Sequence, residues 1–213
     1  MARWGRTLTI TADDFGLHPS YDRGILEAAA AGAIDAAGVM VLRSPDRLGP
    51  LLSSGVAVGL HLEAEGGELT EESGLAQLER FRHLASHPPA FLDGHHHCHA
   101  APSVARAVAA IAAGLGVPVR SVDGAHRRIL RDAEVSTPDL LVGRYEERDP
   151  VIPAELLEPP RSARWIEWMV HPGHPDPGSG SGYDVGRGED LAAVLSFSPP
   201  VGMVRADHRL MRN

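Results

Sequence analysis

The segment TLTITADDFG, residues 7–16, sets the fold class of this 213-residue chain. Its β-branched and apolar residues 7–12 predict a buried strand, and the polar residues from Asp13 onward predict the loop that follows it. Pro19 then begins an alanine-rich segment with apolar residues at helical spacing, and Gly32 ends it. A strand followed by a helix is the repeating unit of a parallel α/β sheet.

The same alternation continues along the chain. Strands are predicted over residues 38–42, 56–62, 90–93, 117–120, 165–170 and 201–204, with helices over 75–84, 102–115 and 189–195. The chain has neither an internal repeat nor a domain boundary, so residues 1–213 are expected to form a single domain. The pattern predicts a parallel sheet that is either open or closed into a barrel.

Composition limits which partners and which cellular compartment are expected for this chain. The formal net charge is −8 and there is no long basic run, so we expect no nucleic acid partner. No stretch approaches the roughly 20 apolar residues of a membrane span, and the N-terminus lacks the pattern of a signal peptide. The single cysteine, Cys98, fits a reducing compartment. We therefore expect a cytoplasmic protein without a membrane partner. The sequence does not determine the oligomeric state, and a homodimer is one possibility.

Polar residues follow several of the predicted strands. Asp13 and Asp14, His61, His95 and His171 each lie where an apolar run gives way to a loop. Because the carboxyl ends of parallel strands meet on one face of the fold, these side chains are expected to converge there.

The residue types at these positions favour hydrolytic chemistry. Adjacent carboxylates such as Asp13 and Asp14 repel each other, and a metal ion held by one would leave the other ionised as a base. A polar loop or a helix N-cap is the alternative. His171 is a candidate general acid, since an imidazole titrates near neutral pH; a metal ligand or a packing residue is its alternative. Arg120 could pair with Asp13, although a surface salt bridge is also open.

Four histidines fall within residues 95–99. If the segment is extended, His95, His97 and His99 share one face, with Asp93 in the same register. We expect one or two of them to bind a metal ion and the others to contact substrate or pack, with Asp93 as acceptor for a ligand imidazole. An incidental surface run of histidines is the alternative.

Four segments resemble the YdjC-like carbohydrate deacetylases. They are TADDFGL at 11–17 with the RGILEAAAAG helix after it, VGLHLEAEG at 58–66, FLDGHHHCHA at 91–100 and WMVHPGHPD at 168–176. Their order is that of the family, so the resemblance runs through almost the whole chain. Two departures are Gly94, where the family's D-S-H-x-H-x-H pattern has serine, and a short segment between His61 and Asp93, which puts the enclosure of the substrate in question.

The resemblance implies a deformed (β/α) barrel, related to a TIM barrel and of the glycoside hydrolase and deacetylase type. It implies a catalytic domain that hydrolyses the N-acetyl group of an amino sugar, such as a chitobiose-like oligosaccharide, and releases acetate. The site residues that it implies are Asp14, His61 and His95 as ligands of one divalent cation, Asp13 as general base, His171 as general acid, and Asp93, His97 and Arg120 as supporting or substrate-contacting residues. Magnesium is the ion associated with the family, whereas imidazole ligands favour zinc, so the ion is left as Mg²⁺ or Zn²⁺.

Two other functions remain open at this point. A metal-dependent phosphoesterase also uses Asp and His at strand ends, but it usually needs more metal ligands and a basic phosphate clamp. The acidic stretch after His61 opposes that function. A metal-binding or carbohydrate-binding protein without activity would use the histidine cluster alone and would leave Asp13 and His171 without a role.

Overall fold

The computed structural model describes residues 5–43, 48–64, 66–144, 146 and 148–211. Within these ranges every paired strand is parallel to its neighbour. The strands are β1 (Arg6–Phe15), β2 (Ala36–Val39), β3 (Ala57–Leu62), β4 (Leu92–Gly94), β5 (Leu140–Gly143), β6 (Trp165–Val170) and β7 (Met203–Arg205). The predicted strand over residues 165–170 is confirmed with the same bounds. The strand predicted over 38–42 begins two residues earlier, at Ala36.

The strands follow one another around the sheet in the order β4-β3-β2-β1-β6-β5, and β7 pairs with the start of β1. Backbone hydrogen bonds continue the sheet beyond β4, because the amide of Leu92 donates to Pro118 and that of Arg120 donates to Leu92. The amide of Val119 then donates to Ser136, just ahead of β5. The irregular segment 117–120 thus extends the sheet from β4 towards the residues ahead of β5, and the predicted deformed (β/α) barrel fold is confirmed.

One predicted strand is wrong as a regular element. Residues 117–120 form only an isolated bridge, between Leu92 and Val119. Pro118 has no amide hydrogen to donate, so a continuous ladder on both sides cannot form there. This irregular segment is one source of the deformation of the barrel.

Seven α-helices lie in the described ranges. They are α1 (Pro19–Ala30), α2 (Leu48–Ser53), α3 (Glu71–Ala85), α4 (Ala105–Leu115), α5 (Gly124–Asp132), α6 (Ala154–Leu157) and α7 (Asp184–Ser196). Local sequence explains their starts: the His18 side chain accepts from the amide of Ser20 ahead of α1, and Thr70 and Ser73 form a capping box at α3. None of the described helices has the length and apolar character needed to cross a membrane.

Alternation along the strands divides the core into two parts. Leu8, Ile10 and Ala12 of β1 belong to the apolar layer between the sheet and the helices. Thr9, Thr11 and Asp13 point the other way, into the barrel, and all three are buried. The barrel interior is therefore polar, and it is the side from which a site can be built.

The C-terminal residues complete this interior. The hydroxyl of Thr9 donates to the carbonyl of Ala206, and the hydroxyl of Thr11 lies 3.1 Å from Nε2 of His208. His208 is fully buried and stacks on Phe91, with ring centroids 4.0 Å apart. Residues almost two hundred positions apart thus form the floor of the barrel.

Candidate active site

A bulge in β1 brings two consecutive carboxylates into one cavity. Successive strand residues normally point to opposite faces. The pairing of β1 with β2 shifts register between Ala12 and Phe15, and Asp14 adopts a left-handed φ of 71°. Asp13 and Asp14 are both buried, and both line the cavity at the carboxyl end of the strands. β1 continues through them to Phe15, so the strand is longer than predicted.

His61 is held by a carboxylate on the neighbouring strand. Its Nδ1 donates to Oδ1 of Asp93 at 2.8 Å, which leaves Nε2 3.4 Å from Oδ1 of Asp14. The missing side chain of Gly38 makes room, since a Cβ there would lie 3.1 Å from that of His61. Burial opposes protonation of His61, but Asp93, Asp13 and Asp14 outweigh it and raise its pKa well above the ordinary value. The cluster strongly favours a positive charge at this point.

The histidine cluster does not form the predicted extended face. Residues His95–Ala100 form a 3₁₀ helix in which His96 and His97 have φ values of 50° and 57°. This turn separates the side chains. His95 directs Nδ1 to Oδ1 of Asp14 at 2.9 Å, whereas His99 is buried on the far side with Nε2 against the carbonyl of Arg120.

The other members of the cluster have different surroundings. His96 is exposed and packs against the ring of His95. His97 lines the cavity, and burial together with the nearby Arg120 lowers its pKa to about 4, so it is neutral. Asp93 accepts from His61 and not from a histidine of the cluster, so the imidazole that it supports is that of another candidate ligand.

Asp14, His61 and His95 fit a metal ion. One ligand atom from each lies within 4.8 Å of the other two. A carboxylate oxygen with two imidazole nitrogens suits zinc and other transition metals, and it leaves positions for water and substrate. Asp13, His61 and Asp93 form a second such group, but both of its carboxylates are already paired with Arg120. The first group is therefore the better candidate.

The predicted pair of Asp13 and Arg120 is present and buried. Nη1 and Nη2 of Arg120 donate to the two carboxylate oxygens of Asp13 at 2.6 and 2.8 Å. Glu167 of β6 accepts from the same guanidinium at 2.9 and 3.0 Å. Burial opposes ionisation of Asp13, yet Arg120 and His61 hold its pKa well below the usual range. Asp13 is therefore ionised and held in a fixed orientation, and the alternative of a surface salt bridge is excluded.

His171 directly follows β6, whose Val170 pairs with Ala12, the residue before the two carboxylates. Its amide donates to Oδ2 of Asp190 at 2.8 Å, and its Nδ1 lies 3.9 Å from the same oxygen. The side chain is one-fifth exposed and lines the cavity. Burial lowers its pKa, against the opposing effect of Asp14 and Asp13, which makes the imidazolium a stronger acid than usual.

Three residues that contact the candidate site lie outside the strand ends and were not predicted from the sequence. Arg187 and Asp190 come from α7, which begins five residues before the predicted helix, and Tyr183 directly precedes it. Nη2 of Arg187 donates to Oδ2 of Asp14 at 2.7 Å, and the hydroxyl of Tyr183 lies 3.3 Å from Asp190. Charged residues in a helix are usually solvated, so the sequence carried no signal for them.

These residues surround a cavity of about 950 Å³. Its floor holds the carboxylates and histidines, and its walls include Tyr21, Tyr183, Ser181 and Arg144. The volume lies within the usual range for small-molecule sites. Aromatic rings with polar groups at their edges suit a ligand with both polar and apolar faces.

Comparison with known proteins agrees with this geometry. The family described as YdjC-like protein matches the chain over residues 7–70 and 68–198. A chitooligosaccharide deacetylase of Serratia marcescens is 27% identical in an alignment 208 positions long, which spans 78% of this chain and 81% of that protein. A carbohydrate deacetylase of Geobacillus stearothermophilus is 29% identical in an alignment 222 positions long, which spans 89% of each chain.

A solved structure has the same fold. It is a candidate cellobiose-phosphate cleavage protein of Enterococcus faecalis V583, with a TM-score of 0.77 and 20% identity. The alignment covers 98% of this chain and 100% of that one. At this identity the likeness concerns the fold alone.

Proposed function

The chain belongs to the family of YdjC-like proteins, and we propose that it hydrolyses the N-acetyl group of an amino sugar with the help of one divalent cation. Carbohydrate deacetylation is the activity named for both curated relatives. One observation carries the proposal: Oδ1 of Asp14 lies 2.9 Å from Nδ1 of His95 and 3.4 Å from Nε2 of His61, beside a second, ionised carboxylate. The substrate class that we propose is a chitobiose-like oligosaccharide or a related acetylated sugar.

Asp14, His61 and His95 would hold the cation. When bound, a divalent ion supplies polarisation of the acetyl carbonyl and a lower pKa for the attacking water. The bond from Asp93 to His61 fixes the ring so that Nε2 faces Asp14. A site with carboxylate and imidazole ligands can bind Zn²⁺ or Mg²⁺. The two imidazole nitrogen atoms favour Zn²⁺.

Asp13 acts as general base. Its carboxylate takes a proton from water as the water oxygen bonds to the acetyl carbon. Arg120 keeps Asp13 ionised until that moment and prevents the carboxylate from rotating, because both oxygens are bonded.

His171 acts as general acid. It delivers a proton to the amide nitrogen as the C–N bond breaks, so that acetate and a free amine leave the site. Asp190 holds the backbone of His171, and the ring of Tyr183 packs edge-on to it at 5.4 Å between centroids. These contacts hold the acid in the cavity that Asp13 also lines.

The direct test is release of acetate from a panel of N-acetylated mono- and disaccharides, with and without a chelator. The expected result is hydrolysis that chelation removes and added Zn²⁺, Mn²⁺ or Mg²⁺ restores. A phosphate ester in the same panel tests the phosphoesterase alternative. Hydrolysis of the ester alone, or tight ion binding with no hydrolysis of any sugar, would refute the proposal.

A further inference from the structure

Arg187 is a buried cation with few partners. Its side chain is only 3% exposed, and within the described residues its Nε and Nη1 have no hydrogen-bond partner. The one bond that it makes, from Nη2, goes to Oδ2 of Asp14 at 2.7 Å. Burying a guanidinium that is only partly satisfied costs stability, so stability does not explain its presence.

The surroundings of Arg187 fix its direction. Its guanidinium carbon lies 4.0 Å from the centre of the Tyr21 ring, within the distance for a cation–π contact. The hydroxyl of Tyr21 donates to Asp184 at 2.8 Å, which anchors the ring to the start of α7. The carbonyl of Arg187 also accepts from the amide of Gly173, two residues after His171.

The two oxygens of Asp14 therefore have separate roles. Oδ2 is bonded to Arg187, while Oδ1 faces His61 and His95. Asp14 also holds a left-handed backbone, at φ 71°, which a side chain rarely adopts without support. Without the guanidinium, Oδ2 would be a buried acceptor lacking its partner, and the carboxylate would be free to turn.

We infer that Arg187 is a positioning residue for the cation site, which sets the affinity for the ion by holding Oδ1 of Asp14 towards the two imidazoles. The inference rests on the proposed function, because it takes Asp14 as a ligand. The positive charge of Arg187 repels a dication and lowers the affinity for it, whereas the orientation that Arg187 gives to Asp14 raises that affinity. Arg187→Lys separates them, since it keeps the charge and loses the planar fork and the stacking surface.

The test is calorimetric titration of ion-free protein with Zn²⁺. Arg187→Lys and Arg187→Met should bind the ion about 10- to 100-fold more weakly, the usual loss when a partner of a ligand is removed. Tyr21→Leu, which removes the ring and leaves the ion pair, should weaken binding in the same direction. Arg131→Met changes an exposed arginine that pairs with Asp139, so it should match the wild type.

The outcomes separate the inference from the function. If folded Arg187→Lys and Tyr21→Leu bind Zn²⁺ as tightly as the wild type while Asp14→Asn does not bind, the inference is overturned and the metal site stands. If the wild type binds no divalent ion, the metal-dependent function fails and the inference fails with it. Near-ultraviolet circular dichroism establishes whether each variant is folded. If Arg187→Met does not fold, the Zn²⁺ affinity of Arg187→Lys tests the inference.

Discussion

The guanidinium of Arg120 donates two parallel hydrogen bonds, of 2.6 and 2.8 Å, to the carboxylate of Asp13 inside the barrel. Such a fork fixes both the charge and the orientation of the carboxylate. Asp93 and Glu167 contact the same guanidinium, so Arg120 stays neutralised if the charge of Asp13 is removed. Asp13 can therefore be changed without leaving a bare cation in the core.

Asp13→Asn should fold, bind the ion and be almost inactive. The amide keeps one acceptor for Arg120 but cannot take a proton from water. The loss of a general base costs about 10²- to 10⁴-fold in rate. Acetate release and Zn²⁺ titration on the same preparation provide the two readouts. Near-normal turnover would remove Asp13 from the role of base.

His95→Ala and His96→Ala should differ sharply although the residues are adjacent. His95 faces Asp14 at 2.9 Å, whereas His96 is exposed at the wall of the cavity and packs on the His95 ring. We expect Zn²⁺ binding to be abolished in His95→Ala and retained in His96→Ala, as measured by calorimetry. Equal losses in both would mean that the ion binds the histidine run itself.

His171→Ala should lose activity selectively, according to the leaving group. With an N-acetyl sugar the rate should fall about 10²- to 10⁴-fold, because the departing amine needs a proton. With 4-nitrophenyl acetate the loss should be much smaller, since nitrophenolate leaves without protonation. The ratio of the two rates is the measurement, and a uniform loss on both substrates would contradict the assignment.

Gly24→Ala should destabilise the protein and disturb the site from a distance. A Cβ on Gly24 would lie 2.5 Å from the backbone of Gly173, which follows His171. Overpacking of this kind costs roughly 1–3 kcal/mol. Gly114→Ala is the matched control, because that helical glycine has open space around it and alanine favours helix. Urea unfolding of the two variants should move in opposite directions.

His208 should make the folded state sensitive to acid. Burial lowers its pKa in the folded protein, against the opposing effect of Glu167, so the unfolded chain takes up the proton first as pH falls. Its contribution to stability is complete above pH 6.5, the ordinary value, and declines below it by up to about 1.4 kcal/mol per pH unit. His61, with a raised pKa, acts in the opposite sense.

The difference between wild type and His208→Gln isolates this contribution. The free energy of unfolding is measured in urea from pH 7.5 to 5.0 on ion-free protein. The variant is expected to show a shallower decline below pH 6.5. A decline of equal slope would show that His208 takes up its proton in the folded state.

The strand ends could be predicted from the sequence. Alternating burial along a strand is a local pattern, and the carboxyl ends of parallel strands meet on one face in any such sheet. Asp13, Asp14, His61 and His171 lie together for that reason. The histidine cluster could not be placed, since its path depends on the left-handed φ of His96 and His97, which no residue type there demands. Arg187 and Asp190 belong to a helix whose docking is a tertiary property.

Thr9 and Thr11 complete their hydrogen bonds with residues 197 positions further along the chain. A ribosome adds about 5–20 residues per second, so these threonines emerge roughly 10 to 40 seconds before their partners. Throughout that interval β1, which also carries both cavity aspartates, has no finished barrel to enter. Of the described strands, β1 is thus the earliest to be synthesised, yet its side-chain hydrogen bonds are completed only after β7 has emerged.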